Sequence, residues 1–542
     1  MKKLLSGIVC VLCCLSAFGQ DFYADKRAEW MRKAELNKPK LISTVKKPIQ
    51  IVKIEKSTDA YQGWKAVSAG NVESLYTSSF KENSGVIVDF GEHMTGYYTF
   101  TLSPFRGVPD APARFKFTFG EVPSEVVTPF DPYKGTLSRA WLQDETVTAM
   151  VVPGSITIPR RLSFRYVKIE LIGAPNYEFS MSDMSCEAVS AVSTPAESLP
   201  ESVDPIIRDI DKVAHNTLKE CMQTVYEDGP KRDQRLWIGD LYLESLGNNY
   251  SFKQFDLTRR CLYLLAGLSS EEGYLMGCVY ENLDLKSIQN LFLFEYGLLF
   301  GVTLKDYYLA SDDRETVEDL WPVAKKQLDI VRKYIKEDGL MDFERANKEW
   351  WIFFDWKDGL YKEAAFQGFS IFALNNAYEL AKLFGKESEV SDIPSLTKKM
   401  AKAAKKYMYD KKTGVFVGMG DKQVSYASQV WMILAGVPTQ KEAQQALKAL
   451  QELPDVCRPG TPYLYHYYIQ ALIDSGLKAE AKNALIDFWG GMVKKGADTF
   501  WEAYDPFDDY ISPYNFHPLN SYCHAWSCTP VYFIRKYPEI FQ

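Results

Sequence analysis

Beyond the first twenty residues the sequence contains no Cys-x-x-Cys pair, and its five histidines include no two at metal-ligand spacing on a helix. That excludes the usual zinc modules, and neither a metal nor a cofactor is expected. Basic charge is not in excess: the net charge is −7, whereas nucleic-acid binders present basic patches, so a nucleic-acid partner is not expected. No Gly-rich phosphate loop, nucleophile elbow or exact internal repeat stands out. Beyond the first residues there is no run of about 18 uninterrupted apolar residues, so no membrane anchor is expected.

The one long apolar stretch lies at the start. Lys2 and Lys3 precede Leu4 to Phe18, which closes on Ala17-Phe18-Gly19 before Gln20. A basic start, a short hydrophobic core and a small-x-small end describe a secretory signal peptide over 1–19. The mature chain is therefore expected outside the cytoplasm, in the periplasm or beyond. No small residue directly precedes Cys10, Cys13 or Cys14, so a lipoprotein cleavage site is not expected. The seven later cysteines are scattered and odd in number, which argues against a disulfide scaffold but leaves one or two bridges open.

A length of 542 residues calls for more than one domain. After a segment at 20–49, residues 50–192 carry short alternating or β-branched runs such as Gly85–Gly91, Thr95–Leu102, Ala113–Phe119 and Phe164–Leu171. Gly, Pro, Asn and Ser punctuate them, as in a β-sandwich. A polar, Pro-containing linker follows at 193–205. From 206 to 542 the apolar period changes to that of helices, with about ten to twelve expected. A toroid of paired helices and a helical array of other geometry fit that period equally well.

The most informative stretch is Tyr226-Glu-Asp-Gly-Pro-Lys-Arg-Asp-Gln-Arg-Leu-Trp-Ile-Gly-Asp-Leu-Tyr-Leu-Glu244. If a helix begins at Pro230, then Asp233, Trp237, Asp240 and Glu244 share one stripe. Acids and Trp together make a poor core face. They suit a cavity in which carboxylates bond hydroxyls and an indole covers a sugar ring. A helix start with dipole-favoured acids and local ion pairs explains the same residues without a site. Near the C-terminus, Glu502 sits between Trp501 and Tyr504, where desolvation should raise its pKa. The 14% aromatic content fits sugar stacking and core filling alike.

Asp228-Gly-Pro-Lys-Arg-Asp-Gln-Arg-Leu-Trp-Ile-Gly-Asp240 resembles the signature of the family 78 α-L-rhamnosidases. Thr499-Phe-Trp-Glu502 resembles the segment that holds that family's general base, and His524-Ala-Trp-Ser527 a late sugar-binding element. Val88–Tyr97, Phe119–Val122 and Arg161–Lys168 are similar to the sandwich that precedes its barrel. The resemblance implies an N-terminal β-sandwich followed by an (α/α)6 toroid, and an inverting glycosidase acting on a carbohydrate substrate. It implies Asp233 as general acid, Glu502 as general base, and Asp228, Arg232, Trp237, Asp240, Asp355, Trp356, Trp501 and His524 as sugar-contacting residues. Where the family usually presents Glu as the acid, this chain has Asp233 followed by Gln234. The family's extra C-terminal β-domain is not seen. Other toroid enzymes, namely uronyl hydrolases and polysaccharide lyases, and a catalytically weakened carbohydrate-binding protein stand as alternatives.

Overall fold

The computed structural model describes residues 21–151, 154–281 and 291–542. The expected leader at 1–19 lies outside these residues.

Period-two alternation between residues 42 and 190 folds into nine antiparallel strands. The long strand Val86–Arg106 belongs to two layers. Its first part pairs with Gln50–Lys56 and Leu162–Gly173, and its second part with Gly154–Thr157 and Glu178–Ser190. Its register against Leu162–Gly173 shifts between Asp89 and Met94, a bulge that bends the strand. Phe100, Phe115, Phe117, Phe164 and Phe179 fill the space between the layers. Their burial is the hydrophobic gain that makes the sandwich a domain with its own core.

Downstream, six helical hairpins follow in chain order, each an outer helix leading into an inner one. The outer helices are Pro205–Cys221, Phe255–Gly267, Arg314–Tyr334, Ile393–Tyr407, Gln440–Glu452 and Lys478–Lys494. The inner helices are Ile238–Asn249, Phe294–Ser311, Glu363–Phe384, Tyr426–Leu434, Pro462–Asp474 and the broken pair Ala525–Ser527 and Pro530–Lys536. Each inner helix packs on the next, and the last returns to the first, closing a ring. All twelve residues of Ile238–Asn249 are buried, whereas Gln440–Glu452 buries only Ala443, Ala446, Leu447 and Leu450. That contrast separates a helix enclosed by neighbours from one with a wet face.

The N-terminal segment also contains the helix Arg27–Leu36, whose Trp30 joins the barrel core, and the strand Ile42–Lys46, which pairs with Glu178–Ser190. Its apolar spacing is weak, so the sequence does not announce it. Loops entering the inner helices collect at one end of the ring, and the sandwich packs against two of them. Arg161 binds Glu227 at 2.7 Å, and Arg165 binds Asp498 at 3.2 Å. Among the described residues, no helix is long and apolar enough to cross a membrane.

Candidate active site

The helix expected from Pro230 does not form there. Residues 228–235 make a tight loop, Leu236–Trp237 pairs as a short strand with Cys278–Val279, and helix begins only at Ile238. Asp233 and Gln234 both adopt left-handed backbone, at φ 58° and 54°. Non-glycine residues there cost about 1–3 kcal/mol each and persist only where surroundings impose them. Here Asp228 N–H donates to the Arg235 carbonyl at 3.1 Å, and Arg235 N–H returns a bond to Asp228 Oδ1 at 3.0 Å. Asp233 thus sits on a loop held by its own ends. Only Asp240 and Glu244 share a helix, one turn apart.

Arg232 joins the two distant acidic segments. Its Nη1 lies 3.1 Å from Asp233 Oδ1 and its Nη2 lies 2.6 Å from Glu502 Oε2. Nε donates to the Leu519 carbonyl at 3.0 Å, and the guanidinium lies over the Tyr514 ring at 4.3 Å. One planar fork therefore fixes both carboxylates, with their separation capped by the width of that fork and two hydrogen bonds.

Glu502 differs from the sequence expectation. Burial by itself pushes its carboxyl up, but Arg232, His524, the Tyr514 hydroxyl and the Ser521 N–H outweigh burial. The group is held below the ordinary glutamate range and is ionised. The other acids behave oppositely. Burial, with Asp233 and Asp240 adding repulsion, drives Asp228 well above the usual aspartate range. Burial also raises Asp240 against the opposing pull of His524. His524 Nε2 lies 3.2 Å from Asp240 Oδ1, yet neither atom is aligned for a hydrogen bond. Glu244, beneath them, is raised well above the usual glutamate range by burial and by Asp240 and Asp228, and neither of its oxygens has a protein partner among the described residues.

All of these groups except Glu244 open onto one hollow of about 360 Å³. Asp228, Arg232, Asp233, Trp237, Asp240, Trp356, Glu502 and His524 all line it. Asp355 and Trp501, expected at the sugar, do not. Asp355 accepts from Gly460 N–H and the Thr461 hydroxyl, both at 2.6 Å, and from Trp356 N–H at 2.9 Å. It pins the loop that carries Trp356. Trp501 is buried and stacks on Tyr61 at 3.9 Å, so it joins the sandwich side to the barrel.

The sequence reading did not assign Tyr296, Phe353, Tyr514 and Trp526 to the site. Tyr296 and Phe353 look like core aromatics in the sequence. Tyr514 lies in an irregular segment with no motif. Trp526 stands inside the His-Ala-Trp-Ser element and was the most findable of the four; its indole N–H bonds the Glu502 carbonyl at 2.9 Å. Together with Trp237, Trp351 and Trp356 they give an aromatic wall facing a carboxylate floor. Such a site covers the apolar face of a sugar ring and bonds its hydroxyls. Among the described residues, no group of three or more His, Cys, Asp or Glu side chains is arranged to hold a metal ion.

The model of the glycosyl hydrolase family 78 α-rhamnosidase N-terminal domain matches residues 48–188, and that of the bacterial α-L-rhamnosidase six-hairpin glycosidase domain matches 197–537. No curated sequence matches the chain. A rhamnosidase from Klebsiella oxytoca, solved with rhamnose bound, is 39% identical with a TM-score of 0.90, covering 94% of this chain and 99% of its own. The family 78 rhamnosidase of Bacillus sp. GL1 shares the fold at 19% identity and a TM-score of 0.68, covering 83% of this chain but 46% of its own. The Streptomyces avermitilis α-L-rhamnosidase does so at 18% and 0.63, covering 92% and 44%. With both domain models matched in order and a full-length relative at that identity, the chain belongs to glycoside hydrolase family 78, the α-L-rhamnosidases.

Proposed function

We propose that the chain is an exported enzyme that removes a terminal α-L-rhamnose from an oligosaccharide or glycoside with inversion, using Asp233 as general acid and Glu502 as general base. The observation that carries this reading is the shared Arg232 fork, which brings both carboxylates to one sugar-sized hollow. Asp233 gives its proton to the glycosidic oxygen as the bond to the anomeric carbon breaks. Glu502 takes a proton from the water whose oxygen attacks that carbon from the other face. Inverting pairs stand about 6.5–9.5 Å apart to admit the water. Asp228, Asp240 and His524 grip ring hydroxyls, while Trp237 and Trp356 wall the ring. The rhamnose bound to the 39% identical relative supports rhamnose as occupant. Export rests on the leader sequence.

A second assignment of the acid has its own support. Asp228 lines the same hollow and is the group whose carboxyl burial and its acidic neighbours push well up, so it retains a proton. Loss of the true acid spares substrates with a good leaving group and cripples those with a poor one. Asp233→Asn and Asp228→Asn are therefore compared on aryl and alkyl rhamnosides. A leaving-group penalty confined to Asp228→Asn moves the acid to Asp228.

The functional test is a panel of aryl glycosides followed by NMR of the first product. Cleavage of the α-L-rhamnoside with β-L-rhamnose appearing first is expected. Binding without release of sugar contradicts the hydrolase reading, and α-L-rhamnose appearing first contradicts inversion.

A further inference from the structure

A second opening, larger than the catalytic hollow and sharing no residue with it, runs down the barrel flank between the outer helices Gln440–Glu452 and Lys478–Lys494. Its volume is about 1,400 Å³ against about 360 Å³ for the pocket. The inner helix Pro462–Asp474 supplies its floor, where Tyr465 stacks on Phe488 with centroids 3.6 Å apart and planes at 16°. Beside them Gln451 donates to the Tyr426 hydroxyl at 2.8 Å and to the Tyr468 hydroxyl at 3.3 Å, which fixes two more rings along the groove. At the rim stands Phe507, 86% exposed. A large aromatic ring in water at the edge of a groove offers a face that a ligand in the groove can cover.

The polar lining decides the class of ligand. Lys448, Arg458 and Lys357 face Glu480, Asp487 and Asp505, and none of the six is ion-paired with another described residue. Equal numbers of each sign give no net field for a polyanion or polycation. These side chains beside the exposed Phe507 ring and the half-buried Tyr465 match the hydroxyls and apolar ring faces that a saccharide presents. The groove also starts where the catalytic walls end. Lys357 follows Trp356 in the chain, Gly460 packs on Lys357, and Asp505 is three residues past Glu502.

We propose that this groove is a non-catalytic saccharide-binding site that holds several sugar units of a glycan chain while the pocket works on a terminal sugar. It is independent of which sugar the pocket takes. Phe507→Ala and Arg458→Ala both change exposed side chains, so the fold has no reason to fail.

The test is binding of the full protein to an array of plant and bacterial polysaccharides, with saturating free L-rhamnose present to occupy the catalytic pocket. Each variant is run beside the parent, and hydrolysis of an aryl α-L-rhamnoside is measured in parallel. Expected is retention of at least one polysaccharide despite the rhamnose, weakened five-fold or more in both variants, with aryl rhamnoside hydrolysis unchanged. No polysaccharide retained, retention abolished by rhamnose, or retention equal in parent and variants overturns the proposal. Failure to hydrolyse the aryl rhamnoside in the parent would count against the catalytic reading alone, since the array reads the groove directly.

Discussion

On one side of the Lys231-Arg232 step the sandwich contributes Glu121 and Glu125, and every one of their four carboxylate oxygens has a donor. Lys231 Nζ lies 3.0 Å from Glu121 and 2.7 Å from Glu125; His93, Ser163 and three backbone N–H groups complete the set. On the other side lie Asp228, Asp240 and Glu244, equally buried, with two oxygens of Glu244 and one of Asp240 left without a hydrogen bond from the protein. Both clusters carry the cost of removing charge from water. The first offsets it with cations and donors, which hold Glu121 low although burial still lifts Glu125 to about 7, and so fastens the sandwich to the barrel. The second offsets it by holding protons, with Asp228 and Asp240 at the hollow and Glu244 behind them. Burial alone therefore does not mark a functional carboxylate. A place on the wall of the hollow, which Glu502, Asp228 and Asp240 share and Glu121 lacks, does.

The contrast can be broken most severely at Lys231. Lys231→Met leaves Glu121 and Glu125 buried without their cation, and chemical denaturation should show a loss of about 3–5 kcal/mol. A loss below about 1 kcal/mol would place the clamp among decorative ion pairs.

Arg232 spans the two regimes, since it keeps Glu502 ionised. Arg232→Met should move the acid limb of kcat/KM up by about 1–3 pH units, because an opposite charge at contact distance lowers a carboxyl by that much. An acid limb that stays in place would mean that Tyr514 and Ser521 hold Glu502 down without Arg232.

His93 offers a pH test of the clamp. Burial opposes its protonation, but Cys523 and Glu121 overcome it and carry its pKa from 6.5 to about 10. A raised folded-state pKa contributes stability that is complete below 6.5 and fades as pH rises toward 10. Melting temperature should fall across that window, and His93→Gln should flatten the fall. An unchanged slope in the variant would assign it to other groups.

The smallest effect belongs to Glu244, which is already neutral. Glu244→Gln keeps its shape and should alter stability by less than about 1.5 kcal/mol. A larger destabilisation would show that the carboxyl has a partner beyond the protein's own groups.

How much of this was legible in the sequence follows from how local each cause is. Period and punctuation carry the sandwich and the helical domain. The motif around Asp228, Asp233 and Asp240 carries half of the pocket, because those residues share one loop and helix start. The backbone at Asp233 was not legible: its left-handed turn sits in a loop closed by Asp228 and Arg235, and the adjoining Arg232 is anchored on Leu519, Tyr514 and Glu502 nearly three hundred residues away. The same distance hides the fate of Asp355, whose partners are Gly460 and Thr461, and of Trp501, which faces Tyr61. The sign of the Glu502 shift was also misread: Trp501 and Tyr504 are visible beside it in sequence, whereas Arg232 is not.

The claim that matters most is that Glu502 does chemistry while the equally buried Glu121 only holds domains together. The most direct measurement is steady-state turnover of an aryl α-L-rhamnoside by Glu502→Gln, with calorimetric binding of L-rhamnose to the same variant. Turnover should drop about 10²–10⁴-fold while rhamnose still binds, as for loss of a positioned base. Turnover within a few-fold of the parent would contradict the assignment outright.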